Sequence, residues 1–199
     1  MNQFKTLSVG ILALQGDFDR HQYQVNLTGA KPVLVRRADH LGDIDALIIP
    51  GGESTTMSIL LDRFNMRTPV KQFAESHAVW GTCAGMIMLA MDIKDNLSGV
   101  EPLKLMDIDV IRNDYGRQVY SFDEQISANL SGEEVQLQAA FIRAPKVARV
   151  GPSVNTLAVF HDSPVLLTQE KLMASSFHTE LDDNTRLLEF FLESFVLKG

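Results

Sequence analysis

Short runs that are apolar at nearly every position alternate with longer amphipathic stretches through the first half of the chain. The runs are Val9 to Leu14, Pro32 to Val35 and Ala46 to Ile49, and Asp19 to Thr28 is the first amphipathic stretch. That rhythm predicts βαβ units. Strands as uniformly apolar as GILAL and ALIIP fit a parallel sheet covered on both faces by helices, and in such sheets the C-terminal strand ends border the ligand site. Ser54 and Thr55 are the expected cap of a helix running to about Phe64. Thr68 and Pro69 open another to about His77, and Ala78-Val79-Trp80 reads as a further central strand.

The second half is less regular. Leu105 to Ile111, Val135 to Ile142, Leu157 to Phe160, Val165 to Thr168 and Leu172 to Phe177 are predicted strands, some in antiparallel pairs, with a turn at Asp162-Ser163-Pro164. Thr185 to Val196 carries Leu, Phe and Val at helical spacing and closes the chain as a packed helix. With no internal repeat, low-complexity tract or Pro/Ser-rich linker, residues 1–199 are expected to form one domain. At 45% apolar content that length suffices to bury one sizeable core.

Charge and cysteine count narrow the function classes. The formal net charge is -7, from 25 acidic against 18 basic residues, and no Lys/Arg run stands out. That balance argues against a nucleic-acid or membrane-surface role. The apolar run near the start is broken by Gln15, Gly16 and Asp17 and reads as a buried strand rather than a leader. No stretch approaches the roughly 18 continuous apolar residues of a membrane span, so the expectation is a soluble, cytoplasmic protein. A single cysteine forms no internal disulfide and supplies no clustered zinc ligands.

That cysteine sits in the most informative segment. Val79-Trp80-Gly81-Thr82-Cys83-Ala84-Gly85-Met86 runs from a strand through Gly-x-Cys-x-Gly into an apolar, helix-like stretch reaching Met91. This is the pattern of a nucleophile elbow with Cys in place of Ser. The glycines leave room for a sharp turn that pushes Cys83 out at the sheet edge, where a helix N-terminus favours a thiolate and the Ala84 N–H can face an oxyanion. The ordinary alternative for a lone cysteine is a small buried hydrophobe.

A thiol nucleophile needs a base, and the chain offers five histidines. His21 lies in a polar helical stretch, His40 and His77 in connections and His161 beside a turn, all places with ordinary explanations. His178 ends an apolar run and has Glu180 two residues on, so in an extended chain the two share a face, and the carboxylate can orient the imidazole. The competing reading is a surface His-Glu pair. Pro50-Gly51-Gly52-Glu53-Ser54 is a third strand-to-turn junction, and without Gly-Lys-Ser/Thr it is no phosphate loop. Its glycines let backbone N–H groups approach a ligand, and Gly52 is the candidate second oxyanion donor; a plain capped turn is the alternative.

These residues resemble the class I (triad) glutamine amidotransferases. GTCAG and His-x-Glu are common to that class. The fuller set LALQGD (12–17), PGGESTTM (50–57), GTCAGMI (81–87), RNDYGRQ (112–118), SF (121–122), FIRAP (141–145) and SFHTEL (176–181) is narrower. It resembles the family of glutaminase subunits of the deoxyxylulose-independent pyridoxal 5'-phosphate synthase. The resemblance implies a single-domain, class I glutamine amidotransferase-like (flavodoxin-like) α/β fold, with a central, mostly parallel mixed sheet flanked by helices and additional antiparallel strands.

It also implies that Cys83 attacks the carboxamide of L-glutamine to form a glutamyl thioester, that His178 and Glu180 complete the triad, and that Gly52 and Ala84 form the oxyanion hole. Glutamine contacts fall on Gly52, Glu53, Ser54, Arg112, Ile142 and Arg143. No metal or organic cofactor is implied, and pyridoxal 5'-phosphate is the product of the assembled complex. The implied partner is a (β/α)8-barrel synthase subunit in a large hetero-oligomer, docked near the oxyanion loop and first helix. Until it docks, the glutaminase is nearly silent. One departure stands out: the resembled family usually has His-Pro-Glu where this chain has Thr179, which leaves φ unfixed and implies a less preorganised triad in the isolated subunit. Two other readings of the residues remain, a stand-alone cysteine hydrolase of γ-glutamyl hydrolase type and a catalytically idle regulatory subunit.

Overall fold

The computed structural model describes residues 3–96, 99–112 and 121–198. The first half runs β1 (Ser8–Leu12), α1 (Phe18–Thr28), β2 (Lys31–Val35), a 3-10 turn (Ala38–Asp43), β3 (Ala46–Ile49), α2 (Ser54–Arg63), α3 (Arg67–Ala74), β4 (Ala78–Thr82) and α4 (Ala84–Leu89). The second half is richer in strands: β5 (Ala90–Ile93), β6 (Met106–Ile111), β7 (Ser121–Leu130), β8 (Glu133–Ile142), β9 (Lys146–Val150), β10 (Asn155–Phe160), β11 (Ser163–Gln169) and β12 (Leu172–Ser175). It ends in α5 (Arg186–Phe191), continued by a π-helical turn over Leu192–Leu197.

Among the described residues nine strands form one sheet in the order β2-β1-β3-β4-β12-β11-β10-β7-β8. From β2 to β12 every neighbour is parallel, and from β12 onward every pairing is antiparallel. The α/β mixed sheet expected from the sequence is therefore present. β5, β6 and β9 make a second, three-stranded sheet.

The uniformly apolar strands have a direct explanation in the packing. Successive side chains of a strand point to opposite faces. Leu47 and Ile49 of β3 join the core cluster that includes Met57, Leu61, Val70 and Met86, beneath α2, α3 and α4. Ala46 and Ile48 join the opposite cluster with Val25, Phe191 and Leu192, beneath α1 and α5. Both faces are buried, so no position along β3 is left for a polar residue.

Several boundaries differ from the sequence reading. The apolar stretch after Cys83 stays helical only to Leu89, because Ala90 onward pairs with β6 as a strand. Such a switch depends on a remote partner, which a local pattern does not contain. The cap of α2 is Glu53 and not Ser54 or Thr55: its carboxylate accepts from the backbone N–H groups of Thr55 and Thr56. A negative charge there also suits the helix dipole. β7 has few apolar residues and buries only Ile126, Ala128 and Leu130; it is held by its full-length pairing with β8 across a Ser131-Gly132 turn whose two residues have φ of 56° and 87°. Positive φ at both turn positions is the hairpin geometry that matches strand twist. The segment 113–120, which includes most of the RNDYGRQ motif, lies outside the described residues. Among the described residues no helix is long and apolar enough to cross a membrane.

α4 sits against β3 at a distance only glycine permits. A Cβ built on Gly85 would run into the carbonyl oxygen of Ile49, a backbone atom that cannot turn aside. Gly85→Ala is therefore expected to lower the melting temperature by the equivalent of about 1–3 kcal/mol, the usual cost of overpacking a core, measured by thermal denaturation.

Candidate active site

The parallel half of the sheet delivers its C-terminal ends to one edge of the molecule. There the loops after β1, β3, β4 and β12 surround a cavity of about 240 Å³. Gly52, Glu53, Ser54, Cys83, Arg112, Ile142, Arg143 and His178, all expected at a site from the sequence, line it together with Asp17 and Gly51.

Cys83 lies between β4 and α4 with φ 49° and ψ -104°. Positive φ in a non-glycine residue is strained backbone, held here by packing on both sides. The Cys83 N–H donates to the Ser175 carbonyl at 2.8 Å, which ties the turn to β12. Its Sγ points at the Ile142 carbonyl, 3.8 Å away, and shares the cavity wall with the His178 imidazole, whose charged form it favours. Ala84 follows as the first residue of α4, 1% exposed, so it borders the cavity only through Cys83.

His178 is held by backbone as well as side chain. Its N–H and C=O pair with Ala140 at 2.9 and 3.1 Å, next to the end of β8 that supplies Ile142 and Arg143. Its Nδ1 donates to Glu180 Oε1 at 2.6 Å. Glu180 has no exposed surface, which rules out the surface-pair reading. Burial works against a charged His178, but the neighbouring Cys83 and Glu180 side chains outweigh it and raise the group to about 10. Burial likewise works against an ionised Glu180, yet its two histidine neighbours hold it down near about 2. Gly51 packs against this imidazole so closely that a Cβ there would strike Cε1.

Thr179 is better anchored than the absence of proline suggests. It is buried, its N–H donates to Glu180 Oε2 at 3.0 Å, and its carbonyl accepts from Gln24 Nε2 at 3.0 Å. Proline has no N–H and makes no such bond to the carboxylate. Glu53, expected to touch a ligand, spends its carboxylate on capping α2 and on Arg112, whose Nη2 lies 3.4 Å from Glu53 Oε1 and 3.2 Å from Thr55 Oγ1. Partial burial opposes ionisation of Glu53, and the Thr55 and Thr56 donors more than reverse it. Gly52 has φ 149°, and a Cβ there would meet the Gln15 side chain, whose Oε1 accepts from the Glu53 N–H at 3.1 Å.

Sequence reasoning missed His21. It is completely buried on α1, with Nε2 3.5 Å from Glu180 Oε1 and 3.3 Å from Thr82 Oγ1. The signal was its helical spacing: His21, Gln24, Val25 and Thr28 form the buried stripe of α1. Among the described residues no group of three His, Cys, Asp or Glu side chains is arranged to hold a metal ion.

Residues 11–197 match the SNO glutamine amidotransferase family. The chain belongs to that family. Among curated relatives, the pyridoxal 5'-phosphate synthase subunit PdxT of Desulforudis audaxviator is 49% identical over 188 residues, covering 94% of this chain and 98% of that protein. The protein of the same name from Pelotomaculum thermopropionicum is 45% identical over 194 residues, covering 97% of each. A solved structure described as a glutamine amidotransferase superposes with TM-score 0.86 at 42% identity, covering 93% of this chain and 97% of that one. The structure of PurLQS from Thermotoga maritima, at TM-score 0.70 and 12% identity over 94% of this chain and 97% of that one, shares the family's fold alone.

Two outcomes follow from the buried pair. His178 rises from 6.5 to about 10, so its stabilisation is full below about 6.5 and lost as pH climbs through 10. Glu180 falls from 4.5 to about 2, so its share is full above 4.5 and lost as pH drops through 2. The melting-temperature gap between wild type and Glu180→Gln is thus expected to be widest between 4.5 and 6.5 and to narrow on both sides, as read by scanning calorimetry across pH. Thr179→Pro removes one donor from a buried carboxylate and is expected to destabilise the fold by about 1.5–3 kcal/mol in denaturant titration.

Proposed function

We propose that this chain is the glutaminase subunit of pyridoxal 5'-phosphate synthase, hydrolysing L-glutamine to glutamate and passing the ammonia to a synthase partner. The observation that carries this reading is Cys83 on its strained turn, facing one cavity with an imidazole that a wholly buried carboxylate orients from behind. That is the arrangement of nucleophile, base and orienting acid.

The chemistry then runs in two halves. The Cys83 proton rests on His178, whose charged form the site favours, as the sulfur attacks the side-chain carbonyl carbon of glutamine, and the carbonyl oxygen becomes an oxyanion held by the N–H groups of Gly52 and Ala84. The tetrahedral adduct collapses, the C–N bond breaks and His178 returns the proton to the departing ammonia. Water, deprotonated by His178, attacks the resulting thioester; the C–S bond breaks, glutamate leaves and Cys83 regains its proton. Glutamine's α-carboxylate calls for a cation and its α-ammonium for carbonyl or acid oxygens, roles for Arg112, Arg143 and the Gly52-Glu53-Ser54 and Ile142 positions around the cavity.

In this reading residues 1–199 work as one glutamine amidotransferase domain. The partner is a (β/α)8-barrel subunit in a large hetero-oligomer, and the setting is the cytoplasm, where a lone thiol stays reduced. Ammonia release from glutamine, assayed with and without that barrel subunit, is the test. Release is expected to rise sharply when the partner is added and to fall at least about 10³-fold in Cys83→Ala. Full activity without the partner would point instead to a stand-alone hydrolase, and none with it to an idle regulatory subunit.

A further inference from the structure

The reaction as written leaves one buried histidine without a role. His21 faces the sheet from α1, where its Nε2 meets Thr82 Oγ1 at 3.3 Å and Glu180 Oε1 at 3.5 Å. Thr82 is the residue before Cys83, and Glu180 is the carboxylate behind His178. One turn further on, Gln24 Nε2 donates to the carbonyls of Thr179 and Asn184 at 3.0 and 2.9 Å. α1 thus grips the segment carrying His178 and Glu180 through two side chains, and touches the strand end that carries the nucleophile through one of them.

The charge state of His21 follows from its surroundings. Burial is the largest influence and holds it below its ordinary value; Glu180 and Asp17 push the other way, and His178 adds to the lowering. Neutral imidazole carries one proton, and a carboxylate only accepts, so attraction to Glu180 puts that proton on Nε2. Nδ1, which has no hydrogen-bond partner among the described residues, is then a bare lone pair instead of a stranded N–H.

We propose that His21 is a positioning residue for the glutaminase reaction, a neutral Nε2–H imidazole that fixes the Glu180 carboxylate against His178 and links it to the strand end bearing Cys83. The inference rests on the glutaminase reading above. Glu180 Oε2 is held by the Thr179 N–H and Oε1 by His178 Nδ1, and His21 Nε2 stands 3.5 Å from that same Oε1, its proton side turned to both the carboxylate and Thr82. By its place beside this oxygen it keeps the buried carboxylate ionised and in the rotamer that aims the His178 Nε2 side of the ring at the sulfur. Cys83, His178, Glu180 and Asp17 are the titratable groups facing this cluster from the turn after β4, the segment after β12 and the start of α1.

The test uses the subunit assembled with the barrel synthase and follows glutamine hydrolysis across pH. His21→Leu keeps apolar bulk without the donor. It is expected to lower kcat about tenfold or more with KM within about twofold, and to move the acid limb of the kcat profile up by about one pH unit, because Glu180 then protonates more readily. His21→Gln places an amide N–H where Nε2 lies and is expected to recover most of the rate, whereas the shorter His21→Asn should not. A His21→Leu complex with the wild-type kcat and pH profile overturns the proposal. So does a loss that appears in KM alone. Should His21→Leu fail to fold, equal kcat values and pH profiles for His21→Gln and His21→Asn overturn it in the same way. A wild type that releases no ammonia with the barrel present overturns the glutaminase reading and this inference together; an active wild type matched by His21→Leu overturns the inference alone.

Discussion

The rest of the site depends on one buried interaction, the 2.6 Å hydrogen bond between His178 Nδ1 and Glu180 Oε1. An ionised carboxylate with no exposed surface is costly unless donors surround it, and removing a single partner from a buried pair commonly costs about 3–5 kcal/mol. Glu180 meets that requirement with the His178 hydrogen bond and the nearby His21 ring on one oxygen and the Thr179 N–H on the other. Each of these contacts comes from a different level of structure: a side chain two residues back, a helix from the start of the chain and the local backbone. A carboxylate held this way cannot wander, and neither can the imidazole in front of it.

That fixity is set up by the parallel half of the sheet. β4 and β12 lie side by side, so the cysteine that ends one and the histidine that follows the other emerge at the same edge. β3, on the other flank of β4, brings Gly51 against the imidazole and Ile49 against Gly85. Two close approaches, one at the histidine and one beneath the helix that follows the cysteine, make glycine the only side-chain choice at these points. The antiparallel extension has its own part. β8 reaches back to pair with His178 and carries Ile142 and Arg143 into the cavity wall.

Thr179, at a position where the family resemblance leads to the expectation of proline, shows how one constraint can stand in for another. Proline restricts φ by covalent geometry. Threonine leaves φ free but supplies an N–H, and here that N–H lands on the Glu180 carboxylate while Gln24 holds the carbonyl on its other side. Glu53 shows the reverse economy, one carboxylate that caps α2 and meets Arg112 at the cavity wall.

The sequence alone determined the α/β class, the β1 to β4 strands, the elbow at Cys83 and the pairing of His178 with Glu180. It could do so because apolar runs, glycine spacing and i, i+2 geometry are local properties. Tertiary structure alone decided the fate of His21, the helix-to-strand switch at Ala90 and the strand at Ser121–Leu130. In each case the deciding partner lies far along the chain: Glu180 for His21, β6 for Ala90, β8 for the polar hairpin arm. A polar residue on an amphipathic helix reads as solvent-facing until the fold brings a buried carboxylate to it. Free energy of that kind resides in the contact and in no single stretch of residues.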